Sequence, residues 1–79
     1  MPHIAISMYP GRDTETKRDI AEKMKQQYVE TFGVDDSAVS VSIVEIPAEE
    51  FADTIQDRYL PEDLYVSSRV IPGTNNSDD

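Results

Sequence analysis

Apolar and polar residues alternate at the start of the chain, and then the period changes. Over residues 3–9, Ile4, Ile6 and Met8 fall on one side and His3, Ala5, Ser7 and Tyr9 on the other, the two-residue repeat of a strand. Pro10-Gly11-Arg12-Asp13 breaks that repeat as a turn. From Thr14 onward Ile20, Met24, Tyr28 and Phe32 step by four, with Ala21 and Val29 beside them, which is one apolar helical stripe. Asp13 is placed to cap the helix, Glu15 suits its positive first turn, and Gly33 supplies a left-handed stop. A helix is therefore expected over 14–32.

Residues 39–46 return to strand period. Val39, Val41 and Ile43 share one face; Ser40, Ser42, Val44 and Ile46 share the other. Two strands separated by one helix predict a β-α-β unit with parallel strands, an α/β fold. Pro47 opens a second helix in which Phe51, Ile55 and Tyr59 step by four, and a short helix carrying Leu64, Tyr65 and Val66 is expected from Pro61. Pro72-Gly73 reads as a turn, and the acidic tail from Thr74 to Asp79 is expected to be disordered. Residues 1–73 are read as a single domain.

Burial arithmetic changes this picture from a monomer to an assembly. Parallel sheets are normally covered on both faces, and one helix over two strands covers one. A chain of 79 residues without cysteine and with a single histidine has neither disulfides nor a histidine metal centre to compensate. Two copies edge to edge make a four-stranded sheet, so oligomerisation is expected to complete the fold. With 16 acidic against 7 basic residues the net charge is −9, which argues against nucleic-acid and anionic-membrane partners. No apolar run approaches the roughly 20 residues that span a bilayer, and a soluble cytoplasmic protein is expected.

The candidate chemistry begins at Pro2, at the head of the first strand. With Met1 attached its nitrogen is a tertiary amide. Removal of Met1, which a following proline generally permits, exposes a secondary amine at a position the ring holds fixed. A solvated α-amine titrates at about 8, secondary amines higher, and an apolar pocket lowers that value toward neutrality. Such a base exchanges protons in both directions. His3 also changes charge near neutrality, but its side chain lies opposite Ile4, which favours surface or interface packing. The adjacent pairs Asp35-Asp36 and Glu49-Glu50 read as solvated faces and not as metal ligands, and Arg58 and Arg69 as surface charges.

Met-Pro heading a short strand, Gly11-Arg12 in the turn after it, the long amphipathic helix, the second parallel strand and the run Glu45-Ile46-Pro47-Ala48-Glu49-Glu50-Phe51 together resemble the 4-oxalocrotonate tautomerase family. The likeness covers roughly residues 2–73. The opening Pro2-His3-Ile4-Ala5-Ile6, the segment from Ile46 to Phe51 and the tail through Pro61 to Pro72-Gly73 look most similar to the dimeric, phenylpyruvate-tautomerase-like branch. The resemblance implies a cofactor-free keto-enol tautomerase in which Pro2, freed of Met1, is the catalytic base. It implies that Arg12 binds a substrate carboxylate and that Phe51 walls the pocket. The residue readings beside these are a solvated loop arginine and ordinary helix packing. Ser40 stands where the hexameric enzymes carry an arginine that polarises the carbonyl, so Ser40 is expected to offer one hydroxyl, and the substrate to be a 2-keto monoacid or its enol, not a dicarboxylate. A homodimer is expected over a hexamer. Two alternatives stay open: a non-catalytic small-acid binding or assembly protein, and a promiscuous hydratase or dehalogenase of unsaturated acids.

Overall fold

The computed structural model describes residues 1–71; the Pro72-Gly73 turn and the tail that follows lie outside the described residues. Strand β1 spans His3–Met8, helix α1 Thr14–Phe32, strand β2 Ser40–Glu45 and helix α2 Ala48–Arg58. Single turns of 3-10 helix at Asp36–Ala38 and Pro61–Asp63 complete the order. The chain divides into two compact units, Met1–Glu45 and a second beginning at Ile46.

In the first unit β1 and β2 are parallel and in register from His3 beside Ser40 to Met8 beside Glu45. This is the β-α-β arrangement the hydrophobic periods predict. The alternation sorts the side chains: His3, Ala5, Ser7, Ser40, Ser42 and Val44 share one face by register, while Ile4, Ile6, Val41 and Ile43 share the face toward α1. Val39, 4% exposed, anchors the entry to β2.

Helix α1 starts and stops where its caps dictate. The Asp13 carboxylate accepts a hydrogen bond from the Thr16 amide at 2.8 Å, satisfying one of the unpaired N–H groups of the first turn. Gly33 adopts φ 68°, a left-handed conformation that costs glycine little, and its N–H donates to the Val29 carbonyl at 2.8 Å. Lys17 of α1 reaches Glu45 at the end of β2 (3.2 Å), and Lys25 reaches Asp36 (3.6 Å). The predicted apolar stripe is present but not fully covered. No residue of α1 is buried, Met24 is 37% exposed and Phe32 62% exposed. Two strands are a narrow platform for a helix of 19 residues, and toward its end Tyr28 and Phe32 pack on each other with ring centroids 4.5 Å apart.

The second unit gathers Ile46, Ile55 and Ile71 into a small core, with Phe51, Ala52 and Leu64 packed against it. Glu49 and Glu50 in the first turn of α2 and Arg58 in its last complement the helix dipole. The expected short helix over Leu64, Tyr65 and Val66 is not formed. The turn that Pro61 starts ends at Asp63, Leu64 takes an extended conformation that lets it pack on the core, and Tyr65 and Val66 are exposed. Ser68 and Ile71 exchange backbone hydrogen bonds of 3.0 and 3.3 Å, a closed loop that seats Ile71.

Candidate active site

The amino-terminal end of the sheet fixes Pro2. Its carbonyl accepts a hydrogen bond from the Ser40 amide at 3.2 Å, extending the β1–β2 ladder one step before the first strand residue. Pro2 is half-buried, while Met1 is 99% exposed and projects away from the ladder. Because the Ser40 amide is spent on Pro2, what Ser40 presents is its hydroxyl. That hydroxyl lies 2.7 Å from His3 Nδ1, and the Ser42 hydroxyl lies 2.9 Å from His3 Nε2. The imidazole therefore bridges two serines that are two residues apart on the neighbouring strand. Pro2, His3, Ser40 and Ser42 form one polar cluster at one end of the sheet.

Arg12 stands elsewhere. It lies in the turn between β1 and α1, where Gly11 takes φ 125°, a backbone that L side chains resist. The Lys17–Glu45 contact puts the start of α1 beside the carboxyl ends of both strands. Pro2 and Arg12 thus sit at opposite ends of β1, a six-residue strand about 20 Å long at roughly 3.3 Å per residue. Arg12 is exposed and makes no ion pair or hydrogen bond with a described residue. Its neighbour Asp13 has its carboxyl held below the ordinary value by the hydrogen bond from Thr16. Phe51 belongs to α2, partly buried against the isoleucine core of the second unit.

A groove of about 350 Å³ runs between α1 and the outer edge of β2, floored by Val39, Val41 and Ile43 and flanked by Lys17, Arg18 and Lys25. Ser40 borders it; Pro2 and Arg12 do not. Among the described residues no three His, Cys, Asp or Glu side chains are grouped to hold a metal ion, and no helix is long and apolar enough to cross a membrane.

Sequence reasoning named Pro2, Arg12, Ser40 and Phe51, and left His3 as a packing residue. It also missed Ser42. The signal was the pair of serines alternating on the same strand face as Val44, opposite a strand that begins with histidine. What was lacking was the register that sets His3 beside Ser40.

A parallel β-α-β unit headed by Met-Pro, with a polar cluster at the proline end of the sheet, is the frame of a tautomerase. Residues 2–66 match the profile of the tautomerase enzyme family, and the chain belongs to that family: it is an isomerase of the 4-oxalocrotonate tautomerase superfamily. Among its relatives, a probable tautomerase of Xylella fastidiosa (strain 9a5c) is 32% identical over 71 residues, covering 90% of this chain and 83% of that one. A 2-hydroxymuconate tautomerase of Bacillus subtilis (strain 168) is 33% identical over 52 residues, covering 66% of this chain and 84% of that one.

Proposed function

We propose that this tautomerase interconverts a phenylpyruvate-like 2-keto acid and its enol without a cofactor, using the nitrogen of Pro2 as the base once Met1 is removed. The observation that carries the reading is the backbone bond from Ser40 to Pro2, which anchors the residue behind a free amine at the strand end. In the ketonising direction the amine takes the enol hydroxyl proton, the oxygen lone pair forms the carbonyl, and the C2–C3 π pair takes the proton back from the ammonium at C3. The amine is regenerated and no redox partner is needed.

Charge decides the substrate class. Ser40 carries none, and the exposed Arg12 is the cation that the family resemblance assigns to a substrate carboxylate, so we assign the site a monoacid. This supports the phenylpyruvate-type, dimeric branch over 2-hydroxymuconate, the substrate in the Bacillus relative's name. We also propose a homodimer, in the cytoplasm. Two copies joined edge to edge and antiparallel bring the partner's Arg12 toward Pro2, and the exposed Met24 and Phe32 offer apolar surface for assembly. For Phe51 we keep the role of apolar wall that the family resemblance implies.

The test is ketonisation of phenylenolpyruvate by protein whose intact mass proves Met1 absent, beside Pro2→Ala and beside 2-hydroxymuconate as competing substrate. Turnover lost in Pro2→Ala supports the reading. Equal behaviour of the two proteins sinks it and favours the second reading, a small-acid binder, for which the missing charge at position 40 speaks.

A further inference from the structure

We infer that His3, held between Ser40 and Ser42, forms a pH-gated site for an anionic oxygen of the substrate, a carboxylate or the enolate oxygen, beside Pro2. This rests on the tautomerase reading of Pro2 and goes beyond it, because it supplies the positive charge that Ser40 lacks.

A neutral imidazole has one N–H and one bare nitrogen. One serine hydroxyl must then donate to the ring, and the other accepts from it. Protonation turns both ring nitrogens into donors, so both hydroxyls accept from the ring, and the proton of the first is released. Whichever tautomer is present, protonating His3 adds one positive charge and frees one hydroxyl donor. The 2.7 and 2.9 Å contacts hold the ring so that both changes fall on the same strand face as Pro2's neighbours. Imidazole is the side chain whose charge changes between about pH 5 and 8.

The surroundings leave this role to His3. The other residues sharing its strand face, Ala5, Ser7, Ser40, Ser42 and Val44, are uncharged. On its own strand the one further titratable group is the Pro2 amine, exposed by loss of Met1. On the segment leading into β2, Asp36 is engaged with Lys25 and Asp35 accepts a hydrogen bond from the Ser37 hydroxyl. Helix α1 packs on the opposite face, where Lys17 is neutralised by Glu45. Arg18 and Lys25 line the groove that Ser40 borders on the α1 side, so His3 is the titratable cation of this strand face and not the one cation near it. His3 is a positioning and charge-bearing residue, acting on the substrate through its charge and through whichever of the Ser40 and Ser42 hydroxyls protonation frees.

His3 is the single histidine of the chain, so its imidazole signal in NMR is unambiguous. The Met1-free protein is titrated alone, with hydrocinnamate, and with phenylpyruvate. A ligand that favours the imidazolium form about threefold raises the His3 midpoint by about half a pH unit, and by linkage binds about threefold tighter in acid. A rise with both ligands assigns the site to the carboxylate; a rise with phenylpyruvate alone assigns it to the 2-oxygen. His3→Gln, which never carries charge, is expected to lose the acid gain, its affinity becoming the same in acid and at pH 8. A midpoint unmoved by either ligand, or the full acid gain surviving in His3→Gln, overturns the inference. The proline reading is judged separately, because Pro2→Ala retains His3 and both serines. Turnover in that variant removes Pro2 as the base without altering the His3 titration.

Discussion

Pro2 and Arg12 occupy opposite ends of the same strand, one where its ladder to β2 begins and the other in the turn beyond its end. If both act on one small acid, each chain holds two half-sites, and a working site takes one half from each of two copies.

Complementation tests this. Pro2→Ala and Arg12→Ala should each be nearly inactive alone. Co-refolded in equal amounts, about half of the dimers are mixed, each with one intact site, so about a quarter of wild-type activity should return. No recovery in the mixture means that the site is contained in one chain or that Arg12 is not part of it.

Replacing Ser40 by alanine removes a hydroxyl and keeps the backbone donor to Pro2. We expect a loss of about 10-fold in kcat, smaller than the roughly 10²–10³ of a dedicated oxyanion donor because the hydroxyl is shared with His3. Stability should change by less than about 1 kcal/mol, as the site is exposed. Chemical denaturation and steady-state kinetics on the same preparation separate the two effects. An unchanged kcat removes Ser40 from the reaction.

Phe32 is 62% exposed on a helix stripe built to be covered. Phe32→Ser should weaken self-association by about 1.5–3 kcal/mol per copy, with little effect on the α1 fold itself. Light scattering across a dilution series reads the shift in dissociation. A wild-type chain that stays monomeric at high concentration contradicts the expected assembly.

Asp13 links pH to the stability of α1. Its native carboxyl titrates below the ordinary 3.8, through the hydrogen bond from Thr16, so the charged cap contributes fully well above that value. The contribution is lost as pH falls through the lowered native value. Asp13→Ala should therefore melt a few degrees lower than wild type near neutrality, and the gap should narrow in strong acid. Thermal melts followed by circular dichroism at neutral and acid pH test this; a gap that is constant with pH excludes the charge as its source.

The elements were legible because each carries its own local instructions. Asp13 and Gly33 mark both ends of α1, and the alternation around Ile4 and Val41 gives the two strands, within a residue or so at each end. Pro2 at the head of β1 was legible in the same local way, as a position in the fold. What was not legible depends on relations between distant residues. No local pattern says that position 3 pairs with position 40, so the His3 bridge stayed hidden. The loop that seats Ile71 was equally silent, because its two backbone bonds with Ser68 use groups that every residue has and the Ser68 hydroxyl that joins them stands in no periodic pattern. The short helix expected after Pro61 failed because Leu64 is drawn to a core that the helical period alone does not describe.

The bond between the Ser40 amide and the Pro2 carbonyl uses no side-chain atom. Any residue except proline at position 40 can make it, so the side chain there can be exchanged while the anchor of the base stays in place. Position 40 is in that sense a modular socket. If Pro2 is the base proposed above, a laboratory selection at that one codon can change the side chain offered to a substrate without disturbing the backbone bond beside it.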